Sequence, residues 1–400
     1  MQLPEKNVVL LSLGQALGST GSSLIVFVGG MTGTELAPSP ALVTLPVTMM
    51  VIGTALAAIP ASLFMAKVGR KRGFLMSAGL SIAGALAASG AILLHNFVMF
   101  CAAVLLLGTN SAFVQQYRFA AAESVAPKRV GVAVSTVLAG GIAGGFLGPQ
   151  IGKITWNWLP AAAYSGSFAA LAGVYLLTIL ILLALSDIQT QTTYDPREGT
   201  ARPLSEILRR PLFRLAVFSG MVSYGAMVLL MTATPISMHV MDRHSLEATG
   251  WVIQSHIVAM YLPSLFSGWL LARLKPLRLL GVGIAALTVC VGIAMSGRAL
   301  TNYWFALVLL GVGWNFLFVG GTVLLTESYR PAERFRAQAF NDFSVFGIQA
   351  LASLSAGAIL HAAGWPVLAA LVLPFLIALG VGAWLAARQE RFAPQAGQEV

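Results

Sequence analysis

GGIAGGFLGPQIG, residues 140–152, places Gly140, Gly144, Gly148 and Gly152 four residues apart, with Pro149 behind the third. In water an interior glycine costs a helix about 1 kcal/mol relative to alanine and a proline about 3. A soluble helix of this sequence would break. In hydrocarbon, where no water satisfies a free backbone, helix is what remains open to it. The rest of the chain supplies that environment. Of 400 residues, 57% are hydrophobic and 10% charged, with a mean hydropathy of +0.82. One water-soluble core cannot bury that much apolar surface, so the chain reads as an integral membrane protein.

A window of about 19 residues picks out twelve apolar stretches, near 8–30, 41–66, 73–94, 97–120, 131–152, 161–186, 213–238, 248–272, 277–297, 302–325, 337–361 and 365–387. Each can cross about 30 Å of hydrocarbon as a helix. The first stretch follows the short polar leader MQLPEKN without a convincing small-residue cleavage site, so it is expected to stay as the first span. Cys101 and Cys290 fall inside spans, which argues against a disulfide framework or a thiolate metal site.

The net charge of +10 invites a nucleic-acid reading. The basic residues, however, sit in alternate loops. Lys153, Arg243 and Arg298 fall on one side of a twelve-span layout, while Lys67, Arg70, Lys71, Arg72, Lys128, Arg129, the central loop and both tails fall on the other. The positive-inside rule then expects both termini in the cytoplasm and the bilayer, not nucleic acid, as the charged surface's partner.

SDIQTQTTYDPREGTARPLSEILRRPLFR, residues 186–214, divides six spans from six and suits a linker carrying one short amphipathic helix, SEILRR. The expected domains are a six-helix bundle over 1–186, a cytoplasmic linker over 187–212, a second bundle over 213–388 and a cytoplasmic tail over 389–400. The halves repeat. AAAESVAPKR (120–129) and LLTESYRPAER (324–334) share Glu-Ser-x-x-Pro, and AKVGRK after the second span echoes ARLKPL after the eighth at nearly the same offset.

With these features the chain resembles the major facilitator superfamily of secondary transporters along its whole length. Three patterns carry the resemblance: Lys67, Val68, Gly69, Arg70 and Lys71 in the loop after the second span; the duplicated Glu-Ser-x-x-Pro; and Gly144-x-x-x-Gly148-Pro149-x-x-Gly152, which looks like the span-five motif of drug and proton antiporters. The superfamily's aspartate two residues before Val68 is Ala66 here, its second-half counterpart is Ala272, and the arginine usual in span four is Val104. The superfamily pattern is therefore fuller than that of the efflux branch. The implied fold is all-α, with twelve transmembrane helices in two pseudo-symmetric six-helix bundles.

The resemblance implies a cytoplasmic latch in which Arg70 pairs with Glu123, repeated in the second half by Arg273 and Glu327. The absence of an aspartate at Ala66 weakens the expected contact toward span eleven. The resemblance also sets span five against span eight, where the glycine face serves either as static packing or as a pivot.

An ionised side chain near the centre of a span costs about 2.5–3.5 kcal/mol on insertion scales and so marks function. Asp342 in span eleven and Arg118 in span four lie at similar depth, and pairing is far cheaper than two lone charges. Asp342 is the expected proton-responsive group or gate partner, against the plainer alternative of a helix cap in interfacial water. His256, central in span eight, is the second proton candidate. Gln15, Ser19 and Ser22, and likewise Ser111, Gln115 and Arg118, recur at i, i+4, i+7. Since spans one, four, seven and ten line the cavity in the superfamily, these residues with Ser219, Tyr224, Trp314 and Asn315 form the expected solute pathway. The serines count for less than the glutamines and Asn315, because hydroxyls bond back to their own helix.

No phosphate-binding loop, metal-ligand spacing or activated nucleophile is present in the sequence, so neither an enzyme nor an ATP-driven pump is expected. The expected protein is a monomeric, multi-pass carrier of the inner (plasma) membrane that holds no cofactor and draws on a proton gradient. Its expected task is proton-coupled efflux of a small organic or amphipathic solute. Import of a metabolite by symport or facilitated diffusion is the alternative, followed by a receptor or assembly factor that has kept the fold.

Overall fold

The computed structural model describes residues 5–39, 42, 45–160, 162–186, 188 and 201–392. Among them there is helix and no strand. The helices are α1 (Lys6–Leu36), α2 (Leu45–Val68), α3 (Arg70–Leu93), α4 (Phe97–Val114), α5 (Tyr117–Glu123), α6 (Val130–Thr155), α7 (Ser165–Leu183), α8 (Leu204–Arg209), α9 (Pro211–Pro235), α10 (Leu246–Tyr261), α11 (Ser264–Arg273), α12 (Pro276–Ser296), α13 (Leu300–Ser328), α14 (Arg334–Ala370) and α15 (Leu373–Phe392).

Ten of the described segments are long and apolar enough to span a membrane. The count differs from twelve for two local reasons. The eighth stretch is interrupted at Leu262 and Pro263 into α10 and α11, because Pro263 has no N–H to continue the ladder. The last segment, Pro331–Arg388, is 58 residues long and holds two stretches in one run. Gly364, at φ 76°, divides them with a backbone turn that a side chain would resist. Each of the twelve apolar stretches is therefore helical along most of its described residues.

The linker expected over 187–212 is described only at residue 188 and from 201 onward, where α8 takes up the SEILRR segment. Of the tail over 389–400, α15 continues to Phe392 and the remainder lies outside the described residues. The duplicated Glu-Ser-x-x-Pro segments form the same local structure. Each enters a single 3-10 turn, Pro127–Arg129 or Pro331–Glu333, with proline at its first position, where a missing N–H costs nothing. Each turn then opens a long helix, α6 or α14.

The chain forms two compact units. The first comprises Met1–Ala201, Ser264–Trp269 and Arg330–Ala350; the second comprises Arg202–Pro263, Leu270–Tyr329 and Leu351–Val400. In the first, α1 packs on α6, α2 on α4, and α3 on α4 and α7. In the second, α13 is the hub, packed by α9, α10 and α12.

The glycine face of α6 is filled by α1. A Cβ at Gly144 would lie 2.6 Å from the Ala16 carbonyl oxygen, and one at Gly148 would lie 2.5 Å from the Leu24 amide nitrogen, both unyielding backbone atoms. Across this seam Ser12 Oγ donates to Thr136 O at 2.8 Å and Ser23 Oγ to Gly144 O at 2.6 Å. The expected partner, span eight, is thus corrected to span one. Lipid provides no hydrophobic drive between helices, so close backbone approach and hydroxyl bonds hold this pair together.

Candidate functional site

The first unit contains a connected set of buried polar side chains. Gly69, at φ 87°, turns the chain sharply between α2 and α3 and places Arg70 at the start of α3. Arg70 is 1% exposed. Its fork binds Glu123 through both arms, Nε to Oε2 at 3.1 Å and Nη2 to Oε1 at 2.6 Å. Nη1 also donates to Gln116 Oε1 at 2.8 Å, and Nη2 to Gln338 Oε1 at 2.6 Å. Gln338 Nε2 donates in turn to Glu123 Oε1 at 3.2 Å. The guanidinium lies over the Phe335 ring, 4.8 Å from its centroid. Only arginine offers such a planar set of donors, so the contact is specific for that side chain.

The structure brings Arg118 and Asp342 together. Arg118 Nη2 donates to Asp342 Oδ1 at 2.6 Å, and both side chains are 1% exposed. Asp342 is therefore neither a helix cap nor a group in interfacial water. Asn341 Nδ2 donates to Oδ1 at 2.9 Å and Gln116 Nε2 to Oδ2 at 2.6 Å, while Arg118 Nη1 donates to Gln115 Oε1 at 3.0 Å.

Gln116 is the joint of the arrangement. One end of its amide accepts from Arg70 and the other donates to Asp342, so the Arg70–Glu123 and Arg118–Asp342 pairs are one network. It sits where span four is interrupted, between α4 and α5. Gln116→Leu would leave a carboxylate oxygen and a guanidinium arm short of partners, at about 1–3 kcal/mol for each unsatisfied group. A clear fall in melting temperature and a loss of transport are expected. Gln116→Glu should be worse, because it sets a second carboxylate against Asp342; a Gln116→Glu protein as stable as the parent would contradict this geometry.

Sequence reasoning missed Gln116, Gln338, Asn341 and Ser62. A signal existed in α14, where Arg334, Gln338 and Asn341 recur at helical spacing beside Asp342 and mark one polar face of an apolar span. The weakened contact toward span eleven, expected from Ala66, is also corrected. Ser62 Oγ donates to Phe335 O at 2.8 Å, Arg70 reaches Gln338, and Arg334 Nε stands 3.9 Å from Glu123 Oε1. Lys67 is exposed and Lys71 half-buried, with no ion pair among the described residues.

The polar stripes separate by residue. Ser22 and Ser111 hydroxyls meet at 2.9 Å, so the stripes of α1 and α4 face each other there. Ser19 instead bonds back to Gln15 O at 2.6 Å and sits against Gly144, on the α6 side. Gln15 is buried in α1.

In the second unit His256, Tyr224, Trp314 and Asn315 are all buried. His256 Nδ1 donates to Leu307 O at 2.8 Å, and Asn315 Nδ2 to Met260 O at 2.8 Å, both across the α10–α13 seam. Ser219 Oγ donates to Leu317 O at 2.9 Å and Ser223 Oγ to Trp314 O at 3.1 Å, closing the α9–α13 seam. Trp314 lies at the middle of an aromatic cluster, with Phe318 stacked at 5.2 Å and Tyr224 and Tyr261 edge-on at 5.4 and 5.8 Å. Arg273 ends α11 and Glu327 lies in the last turn of α13.

A family profile described as Major Facilitator Superfamily matches residues 11–242. The chain is 38% identical over 371 residues, 93% of each chain, to a protein named Riboflavin transporter RfnT from Brucella anthropi. It is 26% identical over 374 residues, 89% of this chain and 85% of the other, to the Uncharacterized MFS-type transporter YdeG from Bacillus subtilis. Among solved structures, the FucP transporter in its outward conformation superposes with a TM-score of 0.80 at 15% identity, over 95% of this chain and 99% of that one. A bacterial homologue of the iron transporter ferroportin gives 0.73 at 15% identity, over 96% and 99%. These two likenesses speak for the fold. The family match, covering more than half of a chain whose apolar stretches are helical along most of their described residues, makes this protein a member of the Major Facilitator Superfamily, a multi-pass secondary transporter of a small-molecule solute.

Proposed function

We propose that the protein carries riboflavin, or a metabolite with the same flat heteroaromatic ring, into the cell across the inner (plasma) membrane. The observation that carries this reading is the 38% identity, spanning 93% of both chains, to a protein named as a riboflavin transporter. The aromatic cluster around Trp314 supports it, since ring faces suit a planar solute. The alternating distribution of basic loops supports cytoplasmic termini.

The proton gradient supplies the energy in this reading, and the buried network supplies the means. Protonation of Asp342 removes the partner of Arg118 and, through Gln116, disturbs the hold of Arg70 on Glu123. In this reading the network takes two arrangements, the observed one with the Arg70–Glu123 latch closed and a second with it open, as alternating access requires. Proton-coupled export of an amphipathic compound is the second reading, favoured by the Gly144, Gly148, Pro149 and Gly152 motif.

The test is uptake of radiolabelled riboflavin by cells that cannot make it, with and without this protein. Accumulation that depends on the protein and collapses on addition of a protonophore is the expected result. Faster loss of preloaded label would establish export instead. Uptake equal to that of empty cells would remove riboflavin as the solute.

A further inference from the structure

Trp314 is 1% exposed on α13, yet its indole nitrogen is buried with no hydrogen-bond partner among the described residues. That is costly. A buried tryptophan N–H ordinarily finds an acceptor, and at membrane depth no bulk water stands in for one. The neighbourhood is not loosely packed. Ser223 Oγ bonds the carbonyl of Trp314 itself, Ser219 Oγ bonds Leu317 O, and Asn315 Nδ2 bonds Met260 O, so α9, α10 and α13 are stitched together on either side of the indole. The rings nearest to it are held by three different helices: Tyr224 from α9, Tyr261 from α10 and Phe318 from α13. Trp314, Phe318 and Tyr224 are all buried, so this is a closed aromatic cluster with one unspent donor, whose chemistry matches a flat ring bearing an acceptor on its edge.

We propose that Trp314, Tyr224, Tyr261 and Phe318 form the ring-recognition subsite of this transporter, with Trp314 Nε1 donating to a carbonyl or ring nitrogen of a planar heteroaromatic solute. The assignment rests on the riboflavin reading above and deepens it. The ring, not the polyol chain, is the part recognised here. Stacking is worth about 1–3 kcal/mol per ring by comparison with base stacking on aromatic side chains, and the edge hydrogen bond decides among rings of similar size.

Purified protein titrated into riboflavin, whose own fluorescence is quenched on stacking, reads the subsite directly. Lumichrome, which keeps the ring and lacks the polyol, is expected to compete, and ribitol is not. Trp314→Phe keeps a ring and deletes the donor, so it should weaken riboflavin and lumichrome by the same factor, about tenfold for one hydrogen bond. Its ligand-free melting temperature should hold, because no hydrogen bond of the resting fold is removed. Should Trp314→Phe yield no folded protein, Tyr224→Leu carries the test, with a loss of similar size for both probes.

Equal affinities for parent and variant, with riboflavin still transported, would overturn the subsite and leave the function standing. Lumichrome binding that falls in the variant, without riboflavin transport by the parent, would keep the subsite and overturn the function. Binding of neither probe to folded parent protein would overturn both.

Discussion

Asp342→Asn is expected to abolish uphill accumulation of solute while leaving exchange of labelled for unlabelled solute across the membrane. Asparagine keeps the shape of the side chain and imitates its protonated form, so on the proton-coupled reading proposed above the protein can move but can no longer follow the proton. The change also leaves Arg118 buried with its charge uncompensated, since the pair stands at 2.6 Å with both members 1% exposed. Removing one partner of a buried ion pair costs about 3–5 kcal/mol, whereas replacing both by apolar groups is often neutral or stabilising. The double variant Arg118→Met with Asp342→Leu should therefore regain only part of the melting temperature lost by Asp342→Asn, since Gln116 Nε2, Asn341 Nδ2 and Gln115 Oε1 each lose a bond, and still fail to accumulate solute. Accumulation by Asp342→Asn at the parental rate would take Asp342 out of the coupling. A double variant as unstable as the single one would mean that the network, and not the pair, sets the stability.

Gly148→Leu is expected to give no folded protein, and Gly148→Ala a protein with a sharply lowered melting temperature. A Cβ at this position lies 2.5 Å from the Leu24 amide nitrogen and 2.8 Å from the Ser23 carbonyl carbon, so α1 itself would have to move away. Overpacking of a well-filled seam costs about 1–3 kcal/mol even where side chains can adjust, and here the obstacle is backbone. The loss would extend along the seam, because Ser12 and Ser23 bridge α1 to α6 only while the two backbones stay close. Gly173 on α7 is the control. Nothing lies within 4 Å of a Cβ there, so Gly173→Ala should be neutral or stabilising. Detergent-solubilised melting curves of the three variants test this, and a Gly148→Ala protein as stable as Gly173→Ala would refute the close packing.

The features legible in the sequence were those whose cost in lipid is large and local. Arg118 and Asp342 stood out because each is a charge inside an apolar run, and Arg70 and Glu123 because they sit in patterned loops repeated in the second half. Gln116 and Gln338 are neutral, and a glutamine in a span announces only that it faces something polar. Their importance lies in which two groups each one bridges, which is a property of three helices and the α4–α5 junction at once. The orphan N–H of Trp314 was equally hidden, since whether an indole finds an acceptor depends on every atom around it.

The glycine stripe divides the two kinds of knowledge cleanly. Four glycines at helical spacing in an apolar run announce that some backbone will come close, and the twelve stretches and basic loops announce a multi-pass membrane protein, because hydrocarbon penalises an unpaired peptide group or lone charge wherever it occurs. That much the amino-acid order determined by itself. Which backbone comes close was decided by the tertiary structure: α1 offers Ser12, Ala16, Ser23 and Leu24 along one side of its own helix, and two of these hydroxyls find carbonyls on α6. Glycine has no side chain with which to name its partner. Choice among a dozen apolar helices therefore falls to shape and to a few hydrogen bonds, and those exist only once the helices are in place.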